Sequence, residues 1–156
     1  MSSKLFTRIL AVLALSLPLA PVLAAEGGVS VVDPYARAVP EVVPNSAAFM
    51  TLRNAGDTDR KLVAGRTPAA GTVELHTHIN DEGVMRMRQV PEIAIPAGGE
   101  TRLEPGGLHI MLIGLKQPLK PGDTLELELE FDDGSSQSLS VPVRKIGMEH
   151  MQHHHH

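Results

Sequence analysis

Apolar and polar positions alternate most cleanly from Thr124 to Phe131, where Leu125, Leu127, Leu129 and Phe131 are interleaved with Glu126, Glu128 and Glu130. Side chains two apart on a strand share a face, so this segment predicts a strand with one buried and one wet side. Shorter runs at 29–32, 47–53, 61–64, 72–79, 108–115 and 138–143 predict further strands. Turn signals punctuate them: Asn54-Ala55-Gly56-Asp57, Ala97-Gly98-Gly99, Pro105-Gly106-Gly107, Pro121-Gly122-Asp123 and Asp132-Asp133-Gly134. No window keeps a helical period over three turns. Seven or so short strands with such punctuation predict an all-β, antiparallel Greek-key β-sandwich. Between Asn80 and Arg102 the alternation weakens around Gly83, Pro91 and Pro96, and a long loop excursion is expected there.

The first residues follow a different pattern. Lys4 and Arg8 precede an apolar run from Ile9 to Ala20 that is short for a bilayer span and is broken by Ser16 and Pro18. With Val22-Leu23-Ala24 behind it, residues 1–24 read as a cleaved secretory signal, residues 25–144 as one domain and residues 145–156 as a flexible tail. No second apolar stretch approaches spanning length, so stable membrane insertion is not expected. Of the 14 Lys and Arg, loss of Lys4 and Arg8 leaves 12 against 18 Asp and Glu, a formal net charge of −6. An acidic chain without a basic patch is a poor partner for nucleic acid or anionic membrane.

The chain has no cysteine. An exported protein is free to form disulfides, so stability here rests on packing, and any soft-metal chemistry falls to thioether and imidazole. The candidates cluster. His109 and Met111 share a face of one predicted strand, His76 and His78 share a face of another, and Met85 and Met87 follow in the expected loop. Neutral imidazole and thioether form a soft, uncharged donor set that favours Cu(I) over harder divalent ions. By the residues alone, His78 and Met85 compete with His76 and Met87 as ligands.

His76, ten intervening residues, Met87, twenty-one more, His109, one more, and Met111 form a spacing carried in a matching context. That context includes Val73-Glu74-Leu75-His76, Gly83-Val84-Met85-Arg86-Met87 and Leu103-Glu104-Pro105-Gly106-Gly107-Leu108-His109-Ile110-Met111-Leu112. Over roughly residues 28–144 the chain resembles the periplasmic copper chaperones called PCuAC. The resemblance implies a cupredoxin-like sandwich with His76, Met87, His109 and Met111 as metal ligands gathered near one end of the barrel. It also implies a periplasmic carrier that delivers Cu(I) to a respiratory cytochrome oxidase subunit, alongside a thioredoxin-like assembly protein; a monomer is expected. Many relatives have Met directly after the first His, where this chain has Thr77, which favours the two-His, two-Met set.

A copper buffer without a dedicated acceptor is the alternative reading. Enzymatic or electron-transfer roles fit poorly, because a blue-copper site needs a cysteine thiolate and no Ser-His-Asp grouping has recognisable context. The tail, with Met148, His150, Met151, His153, His154, His155 and His156, reads either as the remnant of a purification tag or as a native arm. The ligand-rich stretch before the four histidines favours an arm, and imidazole clusters suit Cu(II).

Overall fold

The computed structural model describes residues 28–147, so the expected signal segment 1–24 and the tail from Met148 lie outside the described residues. Ten strands and no helix make up the described chain: β1 (Val29–Arg37), β2 (Asn45–Asn54), β3 (Arg60–Arg66), β4 (Ala70–Asp81), β5 (Val84–Gln89), β6 (Ile93–Ile95), β7 (Glu100–Leu103), β8 (His109–Leu115), β9 (Thr124–Phe131) and β10 (Ser136–Arg144). No helix among the described residues is long and apolar enough to cross a membrane. One sheet runs β5-β4-β8-β2-β1, with β7 also on β2, and the other runs β10-β9-β3-β6. Every pairing is antiparallel except β1 with β10, which joins the two sheets. The chain crosses between sheets at β2–β3, β3–β4, β5–β6, β6–β7 and β8–β9, so sequence neighbours are often not sheet neighbours.

The core lies between the sheets. Leu125, Leu127, Leu129, Phe131, Val141 and Val143 from the second sheet meet Met50, Leu52, Leu75, Ile110 and Leu112 from the first. The alternation that marks β9 in the sequence is the alternation that fills this core.

The stretch 80–102 departs from the expected loop, because it holds β5, β6 and β7. All six residues of β5 are exposed, so neither face is marked by burial, and β6 and β7 are three and four residues long. β5 follows β4 through a two-residue turn in which Glu82 (φ 52°) and Gly83 (φ 85°) both take positive φ. That left-handed pair is the hairpin turn whose twist matches the flanking strands. The Gly83 amide donates to Asn80 Oδ1 at 2.7 Å and tightens it.

A second irregularity sets a face. In β1, Asp33 (φ 47°) and Pro34 together oppose Met50, between the pairs Val32–Thr51 and Tyr35–Phe49. One extra residue in a strand reverses the direction of every side chain beyond it. Tyr35 therefore lies beside Phe49 on the outside of the first sheet, while Ala36 points into the core.

Candidate metal centre

The outside of the first sheet is where the soft donors gather. On β4, Leu75 joins the core, so Glu74, His76 and His78 point the other way. On β8, Ile110 and Leu112 point inward and leave His109 and Met111 outside. The β4–β8 ladder aligns His76 with His109 and Glu74 with Met111. On the far side of β4, β5 aligns Gln89 with His76, Met87 with His78 and Met85 with Asn80. On the far side of β8, β2 aligns Ala47 with Met111 and carries Phe49 two residues further along. Ala47 and Phe49 are buried without joining the core cluster.

His76 is the pivot of this arrangement. The β4–β8 pairing ends at His76 and His109, and the β4–β5 pairing begins at His76, so the hairpin runs on past the start of β8. The rings of His76 and His109 are 5.8 Å apart between centroids and tilted by 39°. His78 is nearer still to His109, at 5.1 Å. Phe49 closes the other side of His109 at 6.3 Å, followed by Tyr35 at 5.3 Å from Phe49. His109 is 2% exposed, whereas Met87 and Met85 are 45% and 57% exposed.

All four side chains singled out by spacing thus share one face, with the imidazoles in the middle. Met111 stands across from position 74 of β4 and Met87 across from position 78. Four residues of strand is roughly 13 Å, so the two thioethers flank the imidazole pair from opposite sides. His78 belongs to the same group by distance, and Met85 lies furthest out along β5. Met50 is a core residue.

The hydrogen bonds assign protons to the rings. His109 Nδ1 is 2.9 Å from the Gly107 carbonyl oxygen, which can only accept, so Nδ1 carries the hydrogen and Nε2 holds the lone pair. Burial pushes the His109 pKa below the ordinary imidazole value, and the nearby His78, His76 and Arg37 add to this against the opposing Gly107 bond. Burial therefore favours the neutral, ligating form. His78 Nδ1 approaches the same carbonyl at a longer 3.4 Å. His76 differs, because its Nε2 is 2.7 Å from Glu74 Oε2 while its buried Nδ1 has no hydrogen-bond partner.

Glu74 and Phe49 were not among the residues expected at the site. The alternation of Glu74, His76 and His78 was the available signal for the first, and the register of β2 against β8, invisible in sequence, brings the second. Among the described residues, His, Asp and Glu by themselves form no group of three able to hold an ion. Thioether sulfur from Met87 and Met111 is available on the same face, and it is the donor that selects soft ions.

Comparison with known proteins agrees with this architecture. Residues 29–143 match the family model described as "Putative lipoprotein LpqE-like". A "putative lipoprotein" of Leifsonia xyli subsp. xyli is 38% identical over 100 residues, 64% of this chain, and the match spans 60% of that relative's length. The solution structure of CuI-DR1885 from Deinococcus radiodurans is 36% identical, with 79% of this chain and 83% of that one covered at a TM-score of 0.62. The copper-bound PCuAC domain from PmoF2 superposes with a TM-score of 0.66 over 78% of this chain and 97% of that domain, at 20% identity, a likeness of fold.

Proposed function

The chain belongs to the LpqE-like family and is a PCuAC-type domain, and from that premise we propose that it is an exported copper chaperone carrying Cu(I) on the outer face of its first sheet. The observation that carries this reading is the shared face: His76 directly across from His109, with Met111 and Met87 on either side of the pair. Those four are the proposed ligands. Two imidazoles and two thioethers are neutral, need no deprotonation beyond neutral histidine, and match the softness of Cu(I).

The same face explains how an ion would be released. β5 is an edge strand with every residue exposed, and Met87 on it lies open to solvent. A ligand held that loosely is the first to be replaced by a donor from an acceptor protein, while His109 stays packed between Phe49 and the other imidazoles. Transfer is then a stepwise ligand exchange, without a chemical reaction of the protein. The acceptor we propose is the copper-receiving subunit of a respiratory cytochrome oxidase, reached in the periplasm with a thioredoxin-like assembly protein as second partner. Relatives named as lipoproteins agree with export.

Titration of the copper-free protein with Cu(I) against a chromophoric chelator tests the binding step. One ion per domain is expected, with ring and methyl resonances of His76, His109, Met87 and Met111 shifting together. Binding that leaves those four resonances unmoved would remove the site. Mixing the loaded protein with the oxidase subunit and with a small chelator of equal affinity tests delivery, and equal transfer rates would argue for a buffer.

A further inference from the structure

The proposed ligand set does not include Glu74, yet Glu74 decides which atom of His76 can meet an ion. Its Oε2 lies 2.7 Å from His76 Nε2, and the two side chains are 28% and 14% exposed. A carboxylate offers lone pairs only, so Nε2 must hold the hydrogen and donate it. The lone pair of the neutral ring then sits on Nδ1. That Nδ1 is the one buried side-chain nitrogen or oxygen among the described residues that lacks a hydrogen-bond partner. Native proteins leave few such atoms, and one that persists calls for a reason.

We propose that Glu74 is a positioning residue that locks the tautomer and ring orientation of His76, presenting Nδ1 to the incoming copper ion. The arrangement complements His109, whose Nδ1–H is held by the Gly107 carbonyl so that Nε2 is the nitrogen left free to ligate. One imidazole is set by a side chain two residues before it and the other by a backbone oxygen two residues before it, and they offer opposite nitrogens. Glu74 also stands across the ladder from Met111. It therefore faces the same ion-binding surface as the ligands.

This inference rests on the copper reading of the site, and the test separates the two. On full-length, copper-free, 15N-labelled protein, long-range 1H–15N spectra report the tautomer of His76, with its signals assigned from a His76→Gln sample. Cu(I) affinity is measured by chelator competition with occupancy read on the Met111 methyl resonance, so that donors in the tail do not count. The expected pattern is a protonated Nε2 in the wild type, a mixture of tautomers and about a tenfold loss of Cu(I) affinity in Glu74→Ala. Glu74→Gln keeps an acceptor oxygen and is expected to restore both the tautomer and most of the affinity. A wild-type ring protonated on Nδ1, or Glu74→Ala binding as tightly as the wild type, overturns the positioning role alone. A wild type that takes up no Cu(I) at Met111 overturns the copper reading and this inference with it.

Discussion

His76 and His109 stand directly opposite one another on adjacent antiparallel strands, with ring centroids 5.8 Å apart. Neither residue sets that relationship. The next pair in the ladder, Leu75 with Ile110, packs into the core, and a slip of one residue would bury the imidazoles and expose the aliphatics. The pair is thus held by hydrophobic burial on the opposite side of the sheet. Replacing either histidine by Asn is expected to lower Cu(I) affinity by more than about a hundredfold, beyond what loss of a supporting partner such as Glu74 costs. Chelator competition measures this, and a far-UV spectrum unchanged from wild type shows that the register survived.

The methionines separate by position. Met111 and Met87 flank the imidazole pair, and Met85 is one step further out, across from Asn80. Leu is close in volume to Met and has no sulfur, so each substitution removes a donor with little change in packing. Met111→Leu and Met87→Leu are expected to weaken Cu(I) binding by about tenfold or more, and Met85→Leu by less than about threefold. Affinities of the three variants decide the matter, and equal losses for Met85→Leu and Met87→Leu would reassign the ligand on β5.

How much of this was legible in the sequence depends on which force wrote each part. β9 alternates because one side is buried, and β4 carries Val73 and Leu75 between polar neighbours, so their strands and the shared face of His76 and His78 could be read directly. β5 has no buried side, and its short alternation of Met85 and Met87 with Arg86 and Arg88 is not backed by burial, so the strand that carries Met87 did not stand out from a loop. The extra residue at Asp33-Pro34, which turns Tyr35 outward to stack near Phe49, has no composition that announces it. The pairing of His76 with His109 is a matter of long-range register, and spacing along the chain suggested their association without showing that they face each other. Glu74 lay in plain view two residues from His76, but only the fold shows its carboxylate against Nε2.

Asn54 holds a turn that was expected from sequence and gives it a buried cost. It is 1% exposed, its Nδ2 donates to Thr58 O at 2.8 Å and Ile95 O at 3.1 Å, and its Oδ1 accepts from the Gly56 amide at 3.0 Å. Asn54→Ala strands these groups, and the bond lost to Ile95 O is a buried one. A loss of about 2–3 kcal/mol is expected, since an unpaired buried polar group costs about 1–3 kcal/mol. Urea unfolding of the copper-free variant measures it, and a loss below about 0.5 kcal/mol would show that the turn reorganises.

Gly65 on β3 leaves no room for a side chain against Val73 of β4. A Cβ built there meets Val73 Cγ1 at 2.9 Å, with Ile110 Cγ2 at 3.8 Å, and a branched side chain packed in place has little room to retreat. Gly65→Ala is expected to destabilise by about 1–3 kcal/mol through overpacking. The double variant Gly65→Ala, Val73→Ala removes the clashing methyl and should recover part of that loss. Additive losses in the two single variants would show that the clash is not the cause.

Acid should act on the β2–β7 pairing through Glu100. Its carboxylate is held below the usual range first by the hydrogen bond from Arg53 and then by that from Arg102, with Arg53 Nε at 3.0 Å and Arg102 Nη2 at 3.2 Å. The folded state therefore binds fewer protons at Glu100 than the unfolded state, whose value lies near 4.5. The contribution is complete above that value and disappears as pH falls through the lower, folded one. Comparing the wild type with Glu100→Gln isolates the charge: the gap between their urea midpoints should be small but present at pH 7 and close as the solution is taken to pH 3. Because the pair is exposed, 0.5 M salt should also narrow the gap at pH 7. A gap that widened on acidification would mean that the carboxylate is destabilised by its surroundings rather than held by the two arginines.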